Sequence, residues 1–139
     1  MHAMPLPAVR FRIDFGPEGA IGPGKIALLE HIGSSGSLSQ AARELRMSYR
    51  RAWQLLESVN SSFREPVVLT AKGGRGGGGA RLTPFGERLI RAYRDFDAEL
   101  QKRAARSFRS IVPLARHAGE STGSRRRRSG TPVVRLSKR

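Results

Sequence analysis

Three features of the sequence predict a mostly α-helical domain with a small β-hairpin and a long C-terminal helix. Apolar faces at helical spacing recur through the middle of the chain, joined by connections of only a few residues. Two short apolar segments flank a run of glycines from Gly73 to Gly79, interrupted only by Arg75. Phe85, Leu89, Tyr93, Phe96, Leu100 and Ala104 then recur every three or four residues, which predicts one helix over 84–107 with a single apolar stripe.

The composition bounds what such a domain does. The 139 residues carry 26 Lys+Arg against 11 Asp+Glu, a formal charge of +15, so the expected partner is a polyanion. The length leaves room for one core of about 100 to 150 residues rather than two. Cysteine is absent, which excludes disulfides, thiolate metal sites and cysteine nucleophiles. No run approaches the roughly 20 apolar residues of a membrane helix, and the first residues lack the apolar stretch of a signal peptide. No membrane partner is expected, and the chain is placed in the cytoplasm. Residues 109–139 hold nine Lys/Arg, four of them in the run Arg125–Arg128, against one acid and few apolar residues. The expected organisation is a flexible N-terminus at 1–8, a folded domain at 9–108 and a basic disordered tail at 109–139.

In chain order, Val9, Phe11 and Ile13 alternate with Arg10, Arg12 and Asp14, the period-two pattern of a half-buried strand. The glycines and prolines from Gly16 to Pro23 predict a turn-rich connection. Ile26, Leu29 and Ile32 form one face of a helix from about Pro23 to Ile32, closed by Gly33 and Gly36. Ser37 or Ser39 can cap a short helix over about 39–45, with Ala41 and Ala42 on its inner face. After Arg46-Met47, Ser48 caps a third helix over about 49–63, with Ala52, Leu55, Leu56, Val59 and Phe63 inward and Arg50, Gln54, Ser58 and Ser61 outward. Val67–Leu69 and Ala80–Leu82 are the arms of a hairpin whose tip is the glycine run. Thr83 caps the long helix, with Pro84 in its first turn, where the missing N–H costs nothing.

Two helices joined by about three residues, the second presenting a basic outer face, form a helix-turn-helix, in which the second helix enters the DNA major groove. Helix pairs with small residues at the crossing also occur in plain bundles, but a glycine hairpin bearing Lys72, Arg75 and Arg81 directly after the pair is what a winged version requires. Base and backbone contacts are assigned to Ser48, Tyr49, Arg50, Arg51 and Gln54 on the third helix, with Ser39 and Gln40 on the second. Lys72, Arg75 and Arg81 are assigned to phosphate or the minor groove. The stripe Phe85, Leu89, Tyr93, Phe96 and Leu100 exceeds what one small domain covers and is assigned to a homodimer interface, although the first strand and helix could also cover it.

Ser37-Leu38-Ser39-Gln40-Ala41-Ala42, Met47-Ser48-Tyr49-Arg50 with Ala52-Trp53, Gly73 to Ala80, and Leu82-Thr83-Pro84-Phe85-Gly86 follow one another along the chain. These blocks resemble the N-terminal DNA-binding domain of the ModE-type molybdate-responsive regulators, which is related to that of the LysR-type regulators. The resemblance covers about residues 9–106. It implies a winged helix-turn-helix, a homodimer formed partly by the long helix, and regulation of molybdenum-related genes through a partly palindromic double-stranded DNA operator. ModE-type proteins also carry C-terminal molybdate-binding β-barrel domains. Only the arginine-rich stretch follows residue 108 here, so direct molybdate binding is not expected.

Other signals have plainer explanations. Gly74, Gly76 and Gly79 fit a dinucleotide-binding spacing only because nearly every residue there is glycine, and a strand follows where that motif needs a helix. His2, His31 and His117 are scattered, so neither a metal nor another cofactor is expected. Neither Ser39 nor Ser48 stands in a nucleophile context, so no enzyme activity is expected. Trp53 is expected to pack beneath the wing or the long helix. Two other functional classes fit the charge: an architectural or RNA-associated protein without sequence choice, and an adaptor that pairs with a full-length regulator through the long helix.

Overall fold

The computed structural model describes residues 6–17, 19–71 and 79–116. Strands β1 (Ile13–Asp14) and β2 (Ala20–Ile21) form a minimal antiparallel hairpin that leads into α1 (Pro23–Ser35), α2 (Leu38–Glu44) and α3 (Tyr49–Ser61). Strands β3 (Val68–Thr70) and β4 (Ala80–Leu82) make a second antiparallel pair, and α4 (Pro84–Ser107) closes the domain. This is a mostly helical winged helix-turn-helix with a long C-terminal helix, as the sequence predicts.

Local chemistry sets each boundary. Gly36 ends α1 in the left-handed region (φ 69°), and its N–H donates to Ile32 O. Of the two serines that could cap α2, Ser37 does so, accepting from the Gln40 N–H, while Ser39 is exposed in the first turn. The α2–α3 turn closes with Met47 N–H donating to Ala42 O and Arg46 N–H to Arg43 O, the paired bonds of a Schellman ending. Arg46 occupies the left-handed position (φ 55°) that glycine usually fills. Ser48 caps α3 through the Arg51 N–H, and Thr83 caps α4 through the Gly86 N–H.

The core is the crossing of α1, α2 and α3. Ile26, Leu28, Leu29, Ile32, Ala41, Ala42, Ala52, Leu56 and Val59 are buried there, and Leu45, Met47 and Leu55 pack against it from the helix-turn-helix seam. Fully burying a large aliphatic side chain contributes about 1.5 to 3 kcal/mol, so this crossing holds the second and third helices at their mutual angle. The wing stem joins the same body. Ala80 N–H donates to Gly36 O, and Ser37 bridges Gly79, so β4 is anchored at the α1–α2 junction.

Three expectations change in the structure. The predicted first strand is a ladder only at Ile13–Asp14, although burial alternates along residues 9–14 as its pattern requires. Upstream of the ladder, the chain is held by α4 rather than by a strand. Val9 N–H donates to Gln101 Oε1, Gln101 Nε2 donates to Val9 O, and Phe11 stacks on Tyr93 with ring centroids 4.8 Å apart. The connection from Gly16 to Pro23 contains a return strand whose Ile21 is fully buried. Past residue 108 the chain makes a turn in which Phe108 O accepts from both Ile111 and Val112 N–H, then a short 3-10 helix (Val112–Leu114) in which Leu114 N–H donates to Ile111 O and Ala115 N–H to Val112 O. Residues 1–5, the glycine tip 72–78 and the remainder of the basic stretch, 117–139, lie outside the described residues.

Candidate nucleic-acid interface

Helix α3 presents its N-terminal half to solvent. Ser48, Tyr49, Arg50, Arg51 and Gln54 are all exposed, Tyr49 by 56%. At about 100° per residue, Arg50, Gln54, Glu57 and Ser61 share one outward line, and Ala52, Leu56 and Val59 lie opposite. Tyr49 and Arg50 therefore sit on the first turn of a helix whose back is fixed in the core, so their positions are set by packing rather than by loop geometry. The Ser48 hydroxyl is already engaged as the cap, which leaves its remaining lone pair and proton for an outside partner.

The α2 residues differ from each other. Ser39 is free at the surface, whereas Gln40 is half-buried and belongs to a chain of side-chain bonds. Its Nε2 donates to Glu44 Oε1 (3.1 Å), its Oε1 accepts from Arg43 (2.7 Å), and Glu44 Oε2 pairs with His31 Nδ1 of α1 (2.5 Å). The hydrogen bonds from His31 and Gln40 hold the Glu44 carboxyl below the usual carboxylate range. Gln40 therefore braces α2 on α1, and any contact it makes outward competes with that brace.

On the wing side, Arg81 is exposed on β4, and Lys72 and Arg75 lie outside the described residues. The stem is positioned by Asn60, which sequence periodicity does not single out. Its Oδ1 accepts from Val67 N–H (2.9 Å) and Val68 N–H (3.1 Å), and its Nδ2 donates to Val68 O (3.0 Å). One amide thus plays the part of a neighbouring strand and sets the distance from α3 to the wing. A half-buried asparagine next to the buried Val59 of α3, a few residues before a β segment, is the trace of this in the sequence. Trp53 lies on the same flank of α3, in a shallow depression shared with Gln54, Asn60 and Thr70. It remains 38% exposed rather than packed beneath the wing or the long helix.

The stripe of α4 divides along its length. Leu89 and Tyr93 are buried within the chain itself, and the Tyr93 hydroxyl donates to Phe11 O. Phe85 and Leu100 are half-buried. Phe96 is 43% exposed despite an edge-on contact with Phe11, and Phe108, Ile111 and Leu114 prolong the apolar surface beyond the helix. Among the described residues no group of three or more His, Asp or Glu is arranged to hold a metal, and no helix is long and apolar enough to cross a membrane.

No protein-family model matches the chain. Curated relatives do. A molybdenum-pterin-binding protein MopB of Rhodobacter capsulatus is 48% identical over 82 residues, covering 59% of this chain and 30% of that protein. The DNA-binding transcriptional dual regulator ModE of Escherichia coli K12 is 45% identical over 82 residues, or 59% of this chain and 31% of that protein. A molybdenum transport protein ModE of Azotobacter vinelandii is 37% identical over 92 residues, or 66% of this chain and 34% of that protein. The N-terminal part of this chain is homologous to the ModE-type regulators. The chain spans about a third of the length of these relatives.

The blocks that carry the ModE-type resemblance have structural work to do. Ser37 and Ser48 are the caps that start the two helices of the helix-turn-helix. Thr83 ties three pieces together, since its Oγ1 accepts from Gly86 N–H and donates to Pro66 O while its N–H donates to Val67 O. Gly86 is required by approach: a Cβ there would lie 2.3 Å from Val67 O. Tyr49, Arg50 and the exposed face of Trp53 carry no comparable internal duty, which leaves them for an outside partner.

Proposed function

We propose that this chain is a sequence-specific DNA-binding transcriptional regulator of the ModE type that acts in the cytoplasm on molybdenum-related genes. In this reading α3 enters the major groove, Arg50 and Gln54 face base edges, and Tyr49, Arg51, Ser48 and Ser39 contact the backbone or the groove wall. Lys72, Arg75 and Arg81 follow the adjacent phosphates. A homodimer formed through the distal part of α4 sets two recognition helices on a partly palindromic operator, on successive major grooves about 34 to 36 Å apart.

The observation that carries this reading is the first turn of α3: exposed Tyr49, Arg50 and Arg51 on a helix whose opposite face is locked in the core, beside a wing stem tethered by Asn60. The names borne by the relatives support the biological setting. Selection from a random duplex library tests the core of it. A regulator enriches one motif with a preference of about 10³ or more over random duplex at physiological salt, and Arg50→Ala then relaxes one base position at a cost of about 1 to 3 kcal/mol. The +15 charge favours one competing reading, an architectural protein, and a flat selection with no enriched motif would establish that instead.

A further inference from the structure

The flank of α3 that faces away from the wing carries a second concentration of positive charge. Lys25, in the first turn of α1, donates from Nζ to Ala20 O (2.7 Å) and to Ser58 Oγ of α3 (2.9 Å). An ammonium has three donors, so one remains after these two bonds. Arg51 lies two helical turns before Ser58 on the same flank, about 10 Å along the axis. From the other direction comes Arg12. The β1–β2 register pairs Ile13 with Ile21 and so sets Arg12 against Gly22, where a Cβ would stand 3.3 Å from Arg12 Cβ. Three cations, from the residue before β1, from α1 and from α3, therefore lie near one another, and among the described residues only Arg12 of the three has a carboxylate partner, the exposed Asp14 at 3.3 Å. Partial burial, with Arg12 and Arg51 nearby, lowers the Lys25 pKa from its ordinary value, as expected of neighbouring like charges with little acid to offset them.

The placement of this cluster gives it a partner. Around α3, Arg51 and Ser58 lie roughly 80° to one side of the outward line through Arg50 and Gln54, and Trp53 and Asn60 lie about as far to the other. Asn60 holds the wing, so the wing and the Lys25 cluster occupy opposite flanks of the same helix. A helix about 10 to 12 Å across fills a major groove about 12 Å wide, and both phosphate ridges then lie against its flanks.

We propose that Arg12, Lys25 and Arg51 form a second phosphate-contacting surface that holds the DNA strand on the side of α3 opposite the wing. This rests on the DNA-binding reading above. It assigns to the N-terminal hairpin a role in positioning the helix in the groove, and it assigns Arg51 to the backbone rather than to a base.

The test uses the full chain and a duplex carrying its selected motif, with affinity measured over about 50 to 200 mM salt. Arg12→Gln and Lys25→Gln should each weaken binding at low salt and flatten the log–log salt slope by about 0.9, leaving the base preferences of the selected motif unchanged. Asp14→Asn, which removes the competing carboxylate, should strengthen binding and steepen the slope, an effect that no folding defect imitates. Lys25→Gln also removes two internal bonds, so its fold is checked by circular dichroism. Arg12, with its side chain 71% exposed, carries the test if that variant unfolds. A parent that binds while Arg12→Gln and Asp14→Asn leave its slope unchanged overturns the proposal. A parent that binds no duplex overturns the functional reading, and this surface with it. Equal slope changes on single-stranded RNA overturn the assignment to a duplex groove.

Discussion

Gly86 and Asn60 show how single positions hold the recognition helix to the wing. Replacing Gly86 by alanine puts a methyl group 2.3 Å from Val67 O, too close for either backbone to keep its place. Gly86→Ala should therefore lower stability by about 1 to 3 kcal/mol in a denaturant titration, the usual range for an overpacked site. Asn60→Ala removes the side-chain partner of two N–H groups and one carbonyl of the buried Val67 and Val68, and at about 1 to 3 kcal/mol per unsatisfied buried group the loss should reach at least 2 kcal/mol. Arg46 works in the opposite sense. Its left-handed backbone costs a non-glycine residue about 1 kcal/mol, so Arg46→Gly should raise the melting temperature. No strain is visible in the sequence at Arg46. The Schellman bonds around it become apparent only once α2 and α3 are placed.

The long helix is more than the stripe predicted from its spacing, because the N-terminal segment lies against it. Phe11 contacts both Tyr93 and Phe96, and Gln101 takes both backbone groups of Val9. Burial, with the Asp97 charge nearby, pushes the Tyr93 phenol up, and Arg94 opposes this in part. Its neutral form is therefore favoured by folding. That contribution is complete below the unfolded phenol value near 10 and is lost as pH rises through the higher folded value. The alkaline limb of stability against pH should flatten in Tyr93→Phe, a change that thermal melts between about pH 9 and 12 would detect. Periodicity and capping residues were enough to place the four helices and the wing stem. They missed β2, since two residues between glycines and prolines carry no period. They also carried the first strand over 9–14, although only Ile13–Asp14 form a ladder, because alternating burial looks the same whether the cover is a strand or a helix.

Within one chain, the stripe of α4 is buried at Leu89, Tyr93 and Ala104 and left partly bare at Phe96 and Leu100. A dimer would use that distal portion, Phe96 and Leu100 together with Phe108, Ile111 and Leu114, rather than the buried Leu89 and Tyr93. Leu100→Asp should then leave a folded monomer with much weaker operator binding, as followed by sedimentation and titration. A parent that sediments as a monomer at micromolar concentration, with and without DNA, would exclude the interface. The chemistry proposed to face DNA divides in a similar way. Arg50 and Gln54 stand out in sequence because exposed helix positions are easy to count. Arg12, Lys25 and Arg51 come together only through the β1–β2 register and the Ser58 bond, which no local pattern encodes.

The amide of Asn60 also bears on the edge of the wing sheet. A two-stranded sheet has two open edges, and the outer one here begins with Val67-Val68-Leu69, the kind of apolar edge on which another copy of a chain can template. The outward N–H and carbonyl of Val68 are occupied by Asn60, and on the other side β4 is anchored at Gly36 and Ser37. The asparagine that fixes the wing thus also takes up backbone groups with which a strand of another chain could pair at that point of the edge.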